Sequence, residues 1–178
     1  MLIGVDESPS AIQASCDISN TRSEVCRDAE VEEGQTNIPA MLPWLKGHLV
    51  TTVSNVYLGD DGTHHAIVKS RGGGQGDAVT AVLFPLVYRR VTTALQAGAA
   101  TLDPEAREYA YQDDADLICT LPALAGASAA FGTACAKVKL RANLKHMTVT
   151  LGRDVNRATV PTSPGPYTHP TRPTTHPA

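Results

Sequence analysis

Two acids stand side by side at Asp113-Asp114, directly after Tyr111-Gln112. Apolar residues flank them, Tyr109-Ala110 on one side and Ala115 with Leu117-Ile118-Cys119 on the other. That pattern suits a β-hairpin whose tight turn carries the acids. Adjacent like charges repel, so a fold keeps them together at a cost unless a cation offsets it. A hard divalent ion such as Mg²⁺ prefers carboxylate oxygen. A solvated Asp-Asp turn is the simpler account of these four residues taken alone, so the weight falls on what accompanies them.

Two other stretches carry candidate chemistry. Asp17 follows Ile12 to Cys16, a short apolar segment that reads as a strand. An acid exposed at a strand end is a common metal ligand and equally a plain helix cap. Arg71-Gly72-Gly73-Gly74-Gln75-Gly76-Asp77 runs straight into an apolar-periodic segment. Its glycines permit positive φ angles and close backbone approach. A glycine loop opening a helix binds phosphate through free amides, but this one lacks the GK[ST] of a Walker loop. By itself, a flexible loop is the better account of it. Asp60-Asp61, with glycine on both sides, reads as a hairpin tip, and the adjacent His64-His65 point to opposite faces of a strand and are not ligands.

Composition narrows the class. The 178 residues suffice for one domain with a real core, 42% are apolar and only 4% aromatic, and the net charge is −3. That argues against a protein that coats nucleic acid with general positive charge. The charge is uneven: residues 1–34 hold eight acids and two bases, residues 136–157 six bases and one acid. A local basic face is therefore open. Cys16, Cys26, Cys119 and Cys135 have no metal-ligand spacing and read as buried thiols in a reducing compartment. No apolar run approaches membrane-spanning length and no signal peptide opens the chain, which points to an intracellular protein of nucleus or cytoplasm with no membrane partner.

The elements that must position these residues follow in order. Glu24 to Glu33 is polar and partly helical, after turn chemistry at Ser19-Asn20. Ile38 to Leu49 is apolar, and its Trp44 is expected in the core. Val50 to Leu58 and His65 to Lys69 form a hairpin around Gly59-Asp60-Asp61-Gly62. The spacing of Leu83, Val87, Val91 and Ala94 predicts a helix over Ala78 to Leu95, capped by Asp77. Gly98 to Glu108 is a connector. Leu124, Phe131 and Cys135 mark the apolar stripe of a helix over Pro122 to Lys137. Val138 to Val149 is basic and suits a strand pair. From Pro161 onward six of eighteen residues are proline and five threonine, a composition expected to be disordered.

This order of parts resembles the palm of reverse transcriptases, most closely those of non-LTR retrotransposons. Cys16-Asp17-Ile18-Ser19-Asn20 with Glu24-Val25-Cys26-Arg27-Asp28 resembles the first palm motif, D-[IV]-x-N-A-F-N-x-V-x-R. Gly74-Gln75-Gly76-Asp77 with Leu83-Phe84 resembles the second, G-x-x-Q-G-D-P-x-x-P-x-L-F. Tyr111-Gln112-Asp113-Asp114 resembles the Y-x-D-D box. Val138 to Lys145 is a loose match to the fourth, with Lys145 in the place of its lysine. Y-x-D-D alone is a weak signal, but in series with Q-G-D and D-I-S-N it is a specific one.

The resemblance implies an α+β fold, a reverse-transcriptase-like palm with a small antiparallel sheet and helices packed on one face. Residues 12–150 would form this partial palm, after an N-terminal segment 1–11 and before a Pro/Thr-rich tail 151–178. It implies RNA-directed DNA polymerase activity, nucleotidyl transfer to a primer 3′-hydroxyl by a two-metal mechanism. Asp17, Asp113 and Asp114 would be catalytic, with two Mg²⁺ ions, or Mn²⁺, held by Asp17, Ile18, Asp113 and Asp114. Gly74, Gln75, Gly76 and Lys145 would line the nucleotide and template pocket. The partners implied are a nucleic acid template-primer and deoxynucleoside triphosphates. Departures are visible as well: Thr21-Arg22 replaces the first motif's Ala-Phe, and Ala78 and Ala81 replace the second motif's prolines. Fingers and thumb segments of normal length are not recognisable, so the chain reads as a fragment of a retrotransposon polyprotein whose other parts lie elsewhere. Two alternatives stay open, an inactive remnant or binding protein on the same scaffold and an unrelated small α/β domain whose acid pairs are all turns.

Overall fold

The computed structural model describes residues 10–19, 21–49, 53–73, 77–143, 146–156 and 158. Gly74, Gln75, Gly76 and Lys145 lie outside the described residues, as do most of the N-terminal segment and most of the Pro/Thr-rich tail.

A four-stranded antiparallel sheet forms the centre, in the order β5-β6-β1-β8. β1 is Ile12–Cys16, β5 Arg107–Tyr111, β6 Asp114–Cys119 and β8 Thr148–Leu151. Side chains alternate across a strand, and here one set is buried: Ile12, Ala14 and Cys16 of β1, with Ala115, Leu117 and Cys119 of β6. They share a core with the stripes of two helices, α4 (Ala78–Ala100) and α5 (Ala123–Lys137), packed on that face. From α4 come Phe84, Val87, Tyr88, Val91 and Leu95, and from α5 Leu124, Ala127, Phe131 and Cys135. The stripes recur every three or four residues, as one helical face must. The expected α+β architecture, a small antiparallel sheet with helices on one face, is the one the chain adopts.

Smaller elements surround this centre. β2 (Ile18–Ser19) follows β1 at once, then α1 (Thr21–Glu24), α2 (Arg27–Asn37) and α3 (Leu42–Leu49). β3 (Val53–Leu58) and β4 (His64–Lys69) pair as the expected hairpin about Gly59-Asp60-Asp61-Gly62. β7 is Arg141–Ala142.

Asp77 caps α4 as expected, its carboxylate accepting from the Val79 N–H at 2.9 Å. Four expectations are corrected. Trp44 is not a core residue: it is 53% exposed and stacks on His48, while Leu45 and Leu49 take the buried positions of α3. The apolar content of that segment exceeds what one face of an eight-residue helix can bury. α4 runs five residues past Leu95, through Gly98, because that glycine packs on α5. At 23 residues α4 is long and apolar enough, by length and composition, to cross a membrane. Its buried stripe instead lies in the domain core. Finally, the two strands within the basic segment do not pair with each other: β7 pairs with β2 and β8 with β1.

Candidate functional site

Asp17 sits where two ladders part. In the β1–β6 ladder Cys16 faces Ala115, so one step on Asp17 comes beside Asp114. In the β2–β7 ladder Ile18 faces Ala142, so one step back Asp17 comes beside Asn143. Antiparallel register fixes both relations. On the partner side the strand is interrupted. Ser15 faces Thr148 and Ile18 faces Ala142, so six steps of the β7–β8 segment span three of β1–β2. The offset of three residues falls opposite Asp17, between Asn143 and Thr148.

Hydrogen bonds hold Asp17 at this junction. One carboxylate oxygen accepts from the Ile18 N–H at 2.8 Å. The other accepts from the Asn143 side-chain amide at 2.8 Å. The Asn143 N–H also donates to the Asp17 carbonyl at 2.8 Å. Asn143 is the residue that sequence reading missed; the loose fourth motif pointed to its neighbourhood but to the lysine within it.

The acid hairpin is built as expected, with one refinement. The connection is the two residues Gln112 and Asp113, and Asp114 already begins β6, facing Tyr111. Gln112 takes a φ of 54°, in the left-handed region that tight hairpins demand. Along β6, Asp114 and Asp116 alternate with the buried Ala115 and Leu117, so they lie on the sheet face away from α4 and α5. Ser15 of β1 shares that face and donates its hydroxyl to Asp116, its cross-strand partner. Strand alternation carries Asp17 to the same side as Ser15. Tyr109 and Tyr111 of β5 are exposed opposite Asp116 and Asp114.

Beneath the hairpin lies a second residue that sequence reading did not single out. Tyr88 of α4 is 1% exposed, and its hydroxyl has no hydrogen-bond partner among the described residues. Burial pushes its pKa up, and nearby Cys16, Cys135, Asp114 and Asp113 push it further in the same direction. Cys16, Cys119 and Cys135 are buried as expected, whereas Cys26, at the start of α2, is only half-buried. Burial first, then Asp116, raises Cys16 to about 12. Burial raises Cys135 to about 12, with a backbone hydrogen bond opposing the shift. Thiols held protonated in this way are poor nucleophiles at neutral pH.

The glycine loop has structural reasons of its own. Gly72 has a φ of 55°. Its N–H donates to the Val25 carbonyl at 3.0 Å and its carbonyl accepts from Arg27 Nε at 3.0 Å. A Cβ on Gly73 would collide with the Thr80 side chain.

As a cation site, the chemistry of the donors fits a hard ion: Asp17, Asp113 and Asp114 offer carboxylate oxygens at one end of the β1–β6 pair. Among the described residues no three Asp, Glu, His or Cys side chains gather as a ready-made cage. Mg²⁺ does not demand one, being held by one or two carboxylates with water or substrate phosphate completing the shell.

No protein-family model matches this chain, and no curated protein matches its sequence. In three dimensions the chain is similar to a solved structure, a telomerase from Candida albicans in complex with the TWJ fragment of telomeric RNA, with a TM-score of 0.64 and 11% sequence identity. The match covers 86% of this chain and 29% of the telomerase chain. A likeness at that identity shows the fold, and the fold is palm-like: a small antiparallel sheet backed by helices. The chain spans under a third of the telomerase to which it is similar.

Proposed function

We propose that the chain is a palm module of the reverse transcriptase kind, carrying out RNA-directed nucleotidyl transfer together with segments supplied elsewhere. The observation that carries this reading is the convergence of Asp17 with the Asp113-Asp114 hairpin, across ninety-six positions of sequence, at one end of paired strands. The fold shared with a telomerase, a reverse-transcriptase-related enzyme, supports it. So does the order of the four sequence motifs.

In this reading Asp17, Asp113 and Asp114 hold Mg²⁺ or Mn²⁺, with the Ile18 main chain beside them. Two such ions would supply charge stabilisation at the attacking and departing oxygens. The chain's own residues set the stage. The paired strands fix the spacing of the acids, because a β-ladder does not slide without turning its buried face outward. The Ile18 N–H and the Asn143 amide keep the Asp17 carboxylate in one orientation. Gly74, Gln75 and Gly76, between Gly73 and the α4 cap, would bind nucleotide and template, and Lys145 the triphosphate. Template-primer would lie on the open sheet face, where Tyr109 and Tyr111 offer stacking surfaces. The net charge of −3 is poorly suited to holding a polyanion alone, which fits a module completed by other segments within nucleus or cytoplasm.

Primer extension with Mg²⁺, in the presence of a complementing fingers-thumb fragment, tests the reading. Asp113→Asn should lower incorporation by about 100-fold or more, the scale of losing a group that acts in the transition state. Equal incorporation by the two proteins rejects a catalytic role for Asp113. One observation favours a second reading, a non-catalytic binding module on the same scaffold: Arg22 occupies the aromatic position of the first motif. That reading predicts template-primer binding without extension under either metal.

A further inference from the structure

We infer that Asn143 is the positioning residue for Asp17, a clasp that sets the acid's orientation toward the open sheet face. The inference rests on the reading of Asp17 as a metal ligand. Three observations carry it. The Asn143 amide donates to one Asp17 carboxylate oxygen and its N–H to the Asp17 carbonyl, both at 2.8 Å, so side chain and backbone are gripped by one residue. The pair stands in register, as the next step of the β2–β7 ladder, so the grip is templated by strand pairing. The other carboxylate oxygen is taken by the Ile18 N–H at 2.8 Å, which leaves the group a single preferred rotation.

A carboxylate oxygen has two lone-pair directions, and one hydrogen bond leaves the second for a cation. Donors of this kind orient a ligand before the ion arrives, which is what partners behind metal ligands do elsewhere. The amide is suited to the task because it is neutral: a lysine or arginine there would compete with the cation for the same charge.

The test compares Mn²⁺ binding by calorimetry in wild type, Asn143→Leu and Asp17→Ala, alongside side-chain amide signals in ¹⁵N spectra of the metal-free proteins. Leucine is close in size to asparagine and lacks the donor, while the backbone N–H remains. Asn143→Leu should weaken Mn²⁺ binding by about 10-fold or more. In the spectra, the Asn143 amide should exchange slowly in wild type and rapidly in Asp17→Ala. Equal Mn²⁺ affinity in wild type and Asn143→Leu overturns the inference and leaves the metal reading standing. An Asn143 amide signal unchanged by Asp17→Ala overturns the clasp itself, whatever the affinities. Wild type that takes up no Mn²⁺ overturns the metal reading and this inference with it.

Discussion

Gly98 of α4 and Gly126 of α5 lie back to back: a Cβ on Gly98 would stand 2.7 Å from the Gly126 carbonyl oxygen, and one on Gly126 would stand 2.9 Å from the Gly98 carbonyl oxygen. Backbone meets backbone here, with the Ala130 methyl equally close to the Gly98 position, and the helices that support the sheet owe their close packing to it.

Gly98→Ala is accordingly expected to destabilise the fold. Alanine is the better helix former by about 1 kcal/mol, but here it meets backbone, which cannot rotate away. Overpacking of this kind costs about 1–3 kcal/mol. The net expectation is a lower denaturation midpoint with unchanged slope in urea. A midpoint raised by the substitution would show that the helices separate freely.

Gln112 carries a second prediction. Its φ of 54° is unfavourable for any residue with a Cβ and most of all for a β-branched one. Gln112→Val should cost about 1–2 kcal/mol, read from chemical denaturation, and should disturb the acid hairpin first. Gln112→Gly should leave stability nearly unchanged, because relief of strain offsets the extra freedom of the unfolded chain. Equal stability of the Val and Gly variants would count against the left-handed turn.

Glu30 of α2 makes stability depend on pH. It is 0% exposed, and neither carboxylate oxygen has a hydrogen-bond partner among the described residues. Burial raises its pKa from 4.5 to about 7, with Arg27 opposing the shift and Asp77 adding to it. A group whose folded pKa lies above its unfolded one binds more protons when folded. Its favourable contribution is therefore complete below pH 4.5 and lost as pH rises to about 7. Over that window the loss is on the order of 3 kcal/mol. Glu30→Gln should flatten the dependence and raise stability at pH 8 by about 1–2 kcal/mol, since the amide has no charge to desolvate. A steep fall from pH 5 to 7 that survives in Glu30→Gln would assign it to other groups.

The acid hairpin, the β3–β4 hairpin, the Asp77 cap and both long helices were legible in the sequence because each is a local matter. Alternation, helical spacing and turn chemistry act over a few residues, and Leu83, Val87, Val91, Phe131 and Cys135 are buried where their spacing put them. Trp44 was misread for the opposite reason: hydrophobicity says that a residue gains from burial, not that a partner surface exists to bury it.

What the chain determined by itself is therefore the set of elements and the chemical character of the acids at Asp17, Asp113 and Asp114. Only the tertiary structure decided which strands pair. β7 and β8 each turn to the β1–β2 segment and not to each other, and this choice puts Asn143 against Asp17. Strand pairing joins residues more than a hundred positions apart, and the competing registers differ in long-range burial and hydrogen bonding that no local pattern encodes.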